Sequence, residues 1–246
     1  MARIFNGSTD YIDLGNDTSI DVSNTMTVGA WIKTASQPAN TTIVNRGNNG
    51  ASAHGWQFGP AAQTLVLTKY GKIQIGSPTL RISGNGIWQY IAVVVTATNV
   101  RFIKILSDGT FGAETVADSN AFNTGANAAI VSAQQNGGAP NLFFNGEIAW
   151  VGVNIGTALS DANIQVAAFN PTTTWFPSLL LPLNGSSSET DSTGLAPSVT
   201  LHGTTADPGN PSFVPPFAPL GSPAKQSSAA HGASQAVLLA ARPHRL

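Results

Sequence analysis

Apolar and polar residues alternate along Phe5-Asn6-Gly7-Ser8-Thr9-Asp10-Tyr11-Ile12-Asp13-Leu14 and again along Met26-Thr27-Val28-Gly29-Ala30-Trp31-Ile32-Lys33-Thr34. Successive side chains of a strand point to opposite faces of a sheet, so a period of two predicts half-buried strands. The spacer Gly15-Asn16-Asp17-Thr18-Ser19 carries turn-forming residues and separates the two runs. Thr42-Ile43-Val44, Gly55-Trp56-Gln57-Phe58, and residues 64–68, 72–75 and 128–132 are further short strand candidates, bounded by Gly, Asn or Pro. Strands this short and this regular predict a sandwich or a barrel. Helix is limited to residues 160–168, where Ser160 is placed to cap the first turn.

Longer apolar runs complete the pattern. Gly86-Ile87-Trp88-Gln89-Tyr90-Ile91-Ala92-Val93-Val94-Val95 precedes residues 101–106 and the turn Asp108-Gly109. Asn141-Leu142-Phe143-Phe144-Asn145-Gly146-Glu147-Ile148-Ala149-Trp150-Val151-Gly152-Val153 leads into Ala158-Leu159-Ser160-Asp161-Ala162-Asn163-Ile164. In this order the segments resemble the laminin-G-like branch of the concanavalin-A-like lectin and glucanase superfamily. Residues 86–109 are similar to the family's central hairpin with its Trp and its Asp-Gly turn, and residues 141–164 resemble the closing strand with its short helical turn. The resemblance spans residues 1–170 and implies an all-β fold, a two-sheet antiparallel jelly roll whose usual work is binding.

Beyond Phe169 the chain changes character. Pro171, Pro177 and Pro182 punctuate an apolar run at 178–181, and Asp191-Ser192-Thr193-Gly194 precedes residues 198–204. In many relatives a similar run stands before the first matched segment. Its place here reads as a circular permutation of the jelly roll, with closing strands within 178–206; the competing reading is a small strand pair packed outside the sandwich. Residues 1–206 are thus expected to form one domain. From 207 to 246, Pro208, Pro211, Pro215, Pro216, Pro219 and Pro223 predict an extended arm that cannot enter a sheet interior.

Charge narrows the partners. Charged residues are only 9% of the chain, against roughly 25% in ordinary globular proteins, with 11 basic and 12 acidic side chains and a net charge of −1. No excess of positive charge is available for nucleic-acid phosphates. No run of about 18 apolar residues predicts a membrane span, and Met1-Ala2-Arg3-Ile4-Phe5 enters the first strand without a signal-peptide pattern. With no cysteine, neither disulfides nor thiolate metal sites are available. A cytoplasmic origin in a family that usually acts outside cells points to a virion released by lysis, the alternative being a cell-surface or extracellular site reached without the Sec route.

Candidate chemistry is sparse. Retaining glycosidases need two carboxylates about 5–5.5 Å apart, and Glu147 is followed at alternate positions by Ala149 and Val151. His54, His202, His231 and His244 are scattered and suggest neither a zinc site nor a catalytic triad. No cofactor is expected. Calcium is disfavoured because relatives often place Asp where this chain has Ala149, leaving Asp10, Asp13, Asp17 and Asp21 as turn and surface carboxylates. For glycan recognition, the loop Arg46, Asn48, Asn49 with His54 and Trp56 is the candidate site, core packing of Trp56 being the competing reading; Trp31 and Trp88 are expected in the core.

The sequence therefore predicts a non-enzymatic structural and interaction module, a decoration or fibre-associated protein of a phage or virus particle. Its arm, through Phe213, Phe217, Val237, Leu238, Leu239, Arg242 and Arg245, is expected to dock onto other protein subunits, with homo-oligomerisation open. The alternatives are a lectin-like module binding surface glycans and, last, a glycoside hydrolase relying on Glu147.

Overall fold

The computed structural model describes residues 2–207 apart from Asp17, Gln37, Ala126, Asn127, Asn184, Ser186, Ser187 and Pro197. The docking residues expected in the arm, Phe213 to Arg245, lie outside the described residues.

The chain opens with β1 (Ala2–Asn6), β2 (Tyr11–Asp13), β3 (Met26–Lys33), β4 (Val44–Asn48), β5 (His54–Ala61) and β6 (Thr64–Lys69). Then come β7 (Ile73–Arg81), β8 (Gln89–Val95), β9 (Asn99–Leu106), β10 (Phe111–Ala117), β11 (Ala129–Val131), β12 (Gln134–Asn136) and β13 (Ala139–Asn141). The chain continues with β14 (Asn145–Ile155), α1 (Asp161–Phe169), β15 (Leu179–Pro182), β16 (Thr200–His202) and β17 (Thr205–Asp207). Two antiparallel sheets face each other. One has the order β10-β9-β8-β3-β14-β1-β17, with β15 also paired to β14, and the other has the order β16-β2-β11-β4-β5-β6-β7. A small hairpin, β12-β13, stands apart from both.

Apolar residues at alternate positions fill the space between the sheets, among them Phe5, Val28, Trp56, Phe58, Leu67, Phe102 and Val151. Another cluster lies on the outer face of the first sheet, where Trp31, Tyr90, Trp150 and Phe176 pack with Ile164 and Ala167 of α1. Ser160 caps that helix by accepting from the Asn163 amide at 3.3 Å, and the Trp31 indole donates to the Ala168 carbonyl at 2.6 Å. The first sheet is thereby covered on both faces, and the second is covered on its outer face only in part, Asn45 and Gln57 being buried beside Gln134 and Gln74 being exposed.

This covering changes the expectation for β3. The alternation predicted one face in solvent, whereas every residue of β3 but Lys33 is buried. The polar positions of that run are small: Thr27 turns its hydroxyl to the Thr157 carbonyl, and Gly29 leaves room for the Tyr90 ring, whose atoms a Cβ would strike. Trp31 is in the core as expected, but Trp88 is only half-buried, with the Lys33 ammonium 5.7 Å from its ring. The run 5–14 is also not one strand. Asn6 accepts from the amides of Ser8 and Thr9 at 2.9 Å and of Asp10 at 3.2 Å, and the turn it makes sends β1 and β2 into different sheets. The Asp108-Gly109 turn joins β9 to β10, a strand not expected from the sequence pattern.

Strands β15, β16 and β17 are built into the sandwich. β17 and β14 flank β1, and β16 pairs with β2. Arg3 of β1 donates to Glu189 at 2.8 Å and to the Thr204 hydroxyl at 2.9 Å, with both charged side chains buried. The Asp191 carboxylate accepts from the amides of Leu180, Thr193, Leu195 and Ala196 and from the Thr193 hydroxyl. Burial acts to raise its pKa, and the hydrogen bonds outweigh that and hold it below the usual carboxylate value.

At the opposite edge, Glu114 of β10 bridges the sheets. It accepts from the Ser77 and Thr79 hydroxyls and from the Thr79 and Leu80 amides at 3.0 and 3.3 Å. Desolvation pushes against the charged form, but these hydrogen bonds prevail and bring its pKa to about 2. A depressed folded pKa contributes stability that is complete above the unfolded value and is lost as pH falls towards the folded one. Glu114→Gln is therefore expected to flatten the decline of melting temperature between about pH 5 and pH 2. Parallel declines in the two proteins would show that the bridge contributes nothing.

Candidate functional site

The outer face of the second sheet carries a transverse row of side chains fixed by strand register. Thr200, Asp13, Ile130, Asn45, Gln57, Thr68 and Gln74 are successive cross-strand partners from β16 to β7. Their neighbours along each strand, such as Val44, Trp56, Phe58, Leu67 and Ile75, point into the core. Period two thus turns amides and a hydroxyl to the outer side of β4 to β7, Asn45 and Gln57 lying buried there and Gln74 exposed.

Part of the row is locked. Tyr70 follows β6 and donates its phenol hydrogen to Asn45 Oδ1 at 2.5 Å, with Gln57 Oε1 3.0 Å away. Gln134, at the start of the β12-β13 hairpin, donates to Gln57 Oε1 at 2.7 Å and to the Tyr70 oxygen at 3.0 Å. Burial pushes the Tyr70 pKa up, more than the Gln134 hydrogen bond lowers it, so the phenol stays protonated. With its oxygen engaged, Gln57 has its amide nitrogen left to meet a ligand.

The rest of the row opens into a groove of about 130 Å³. Gln57, Thr68, Gln74, Gln134, Asn40 and Asn49 supply its polar lining, and Gly59, Pro60, Ala61, Val66 and Leu142 the remainder. Strands about 4.8 Å apart set Gln57, Thr68 and Gln74 in a line about 10 Å long. Leu142 stands at the lip in a left-handed backbone conformation, φ 49°, with 37% of its surface exposed. A bulky apolar side chain held there is a strained feature of the kind that gathers at binding sites.

The expected site residues do not form one site. Of the two readings of Trp56, exposed platform or core residue, the structure gives the second and removes it from the candidate site: it is 0% exposed, because β5 runs from His54 to Ala61 and puts Trp56 on the same inward face as Phe58. Arg46 is its cross-strand partner, 1% exposed, and reaches Asn16 Oδ1 at 3.3 Å within the protein. His54 accompanies Ser52 and Asn123 in a separate, open depression of about 590 Å³, its Nδ1 lying 2.6 Å from the Ser52 carbonyl. Asn49 lines the groove, while Asn48 holds the nearby loops by accepting from the amides of Gly50 at 2.9 Å and Gly137 at 2.8 Å. Gln57, Thr68, Gln74, Gln134 and Tyr70 carry no signal in the sequence that singles them out.

The acidic candidates have structural partners. Glu147 pairs with Lys33 at 2.8 Å. Asp10, Asp13 and Asp21 accept from the amides of Asn6, Gly15 and Val22 at 2.7–3.1 Å, and Asp17 lies outside the described residues. Among the described residues no three of His, Asp or Glu gather as a metal site. No helix among them is long and apolar enough to cross a membrane.

The laminin-G-type family model of the concanavalin A-like lectin/glucanases superfamily matches residues 6–165. The chain belongs to this family. A candidate carbohydrate binding protein from Bacteroides ovatus superposes with a TM-score of 0.56 at 12% identity, covering 82% of this chain and 57% of that one. The native heptameric SAP-like pentraxin of Limulus polyphemus gives 0.51 at 14% identity, covering 81% and 93%. The CBM40 of the Ruminococcus gnavus IT-sialidase, bound to alpha2,3 sialyllactose, gives 0.50 at 13% identity, covering 66% and 94%. Identities this low establish the jelly-roll fold and no more. No curated protein sequence matches the chain.

Proposed function

We propose that this member of the laminin-G-type family is a non-enzymatic, lectin-like carbohydrate-binding module, and that the groove on the outer face of its second sheet is the binding site. The observation that carries the reading is the register-fixed row Gln57, Thr68 and Gln74, with Gln57 held in place by Tyr70 and Gln134. Sugar hydroxyls both donate and accept, as amides and hydroxyl side chains do, and the exposed Leu142 offers an apolar surface to the C–H face of a ring. The descriptions of the Bacteroides ovatus and Ruminococcus gnavus structures support the same reading. Glu147 pairs with Lys33 and has Ala149 and Val151 at the next alternate positions, which supports binding without hydrolysis. The particle-docking role expected of residues 207–246, and the virion location that goes with it, remain a proposal about assembly that is separate from this groove.

Gln74→Ala is the direct test. Gln74 is exposed, and its amide comes no closer than 3.5 Å to Thr68 Oγ1, so the fold does not depend on it. Losing one ligand hydrogen bond is expected to weaken glycan binding about tenfold, the equivalent of about 1.4 kcal/mol, with the melting temperature unchanged. Unaltered affinity in calorimetric titration would move the site off this face.

A further inference from the structure

We infer that the ligand of the groove is an uncharged saccharide, and that sugars carrying a carboxylate, sialic acids and uronic acids among them, are rejected. This rests on the lectin reading above and sharpens it. The eleven residues lining the groove include no acidic or basic side chain.

The strands beneath it do carry cations, but these are directed elsewhere. Arg46 of β4 and Lys69 of β6 occupy inward positions on either side of Trp56 in the cross-strand row and are 1% and 2% exposed. Arg46 reaches Asn16, and Lys69 is held by Asp118 at 2.5 Å and by the Asn120 carbonyl at 2.5 Å. At the end of β7, Arg81 lies 3.4 Å from Gln63 Oε1. Period two thus sends the basic residues of β4 and β6 to the same side as the apolar ones, leaving amides and a hydroxyl outside.

A carboxylate only accepts hydrogen bonds and loses its hydration on entering such a site. In this groove it would meet the lone pairs of Gln134 Oε1 and the Thr68 hydroxyl beside the N–H groups of Gln57, with no cation to offset the loss. Hydroxyls suit the lining from either direction, because Gln57, its oxygen engaged, offers N–H groups, while Gln134, its nitrogen engaged, offers an oxygen. A neutral ligand also implies little sensitivity to salt, since no charge pair is there to be screened.

The test is a glycan array probed with the whole chain, carrying neutral oligosaccharides beside their sialylated and uronate-containing counterparts. Titration of the best binder is then repeated from about 50 mM to about 500 mM sodium chloride. The expected result is binding confined to neutral glycans, weakened less than twofold by salt and at least tenfold by Gln74→Ala. Preference for the acidic counterparts, or a tenfold loss in salt, would overturn the inference and leave the lectin reading standing. Binding to no glycan at all would overturn both. Binding to neutral glycans that Gln74→Ala leaves untouched would place the ligand off this groove and so overturn the assignment of its selectivity to the amide row.

Discussion

Replacing Trp56 with alanine is expected to destabilise the sandwich by about 3–5 kcal/mol, a fall in melting temperature on the order of 10 °C for a chain this size. Trp56 is fully buried between the sheets, and its cross-strand neighbours Arg46 and Lys69 are buried beside it. The cavity left by the indole would adjoin two buried cations, Arg46 and Lys69, and water entering it would compete for their hydrogen bonds to Asn16 and to Asp118 and Asn120. The indole N–H has no hydrogen-bond partner among the described residues. Trp56→Phe is accordingly expected to lose much less, because it keeps most of the apolar volume and removes no bond. Denaturant titration of the two variants checks the ranking. While it remains folded, Trp56→Ala should bind glycan as the unmodified chain does; weaker binding by folded protein would return Trp56 to the site.

Glu189→Ala is expected to be comparably severe, about 3–5 kcal/mol, since it strands Arg3 in the interior without its carboxylate. Glu189 Oε1 also accepts from the Gly185 amide at 2.9 Å, so the loop after β15 loses an anchor as well. Replacing both partners with apolar residues, Arg3→Met with Glu189→Leu, removes the stranded charge and should recover most of the loss. A double-mutant cycle in urea measures this. If the single and double variants were equally unstable, packing around the pair would be responsible and charge would not.

Many of the strands and the helix were legible because each carries its own local signal: alternation around Val28 and Ile32, aliphatic runs at 89–95, and Ser160 before 161–169; β10 and the β12-β13 hairpin carry none as clear. The groove left no such trace. Gln57, Thr68 and Gln74 come from three strands and become neighbours only through register, so no motif spaces them along the chain. A signal for Trp56 did exist. Trp56 and Phe58 stand at alternate positions, and a strand drawn through both puts them on one face; the adjacent His54 and Gly55 give the segment the character of a loop. The burial of β3 on both faces could not be read from β3 itself, because the cover comes from α1 and the Trp175-Phe176 segment more than a hundred positions later. Leu142 gave no warning, since its backbone conformation is imposed by the β12-β13 hairpin it follows.

The clasp of β1 between β14 and β17 also orders events in time. Arg3 finds its ladder partners at Ile148 and Ala206, so β1 leaves the ribosome well before either of the strands that flank it. Until then Phe5 and Ile12 have no completed core to enter, and closing so long a loop is slow compared with pairing a hairpin such as β8-β9. The nascent chain must carry β1 as an unpaired edge until β14 and β17 have been made, an interval in which that edge is open to wrong pairing.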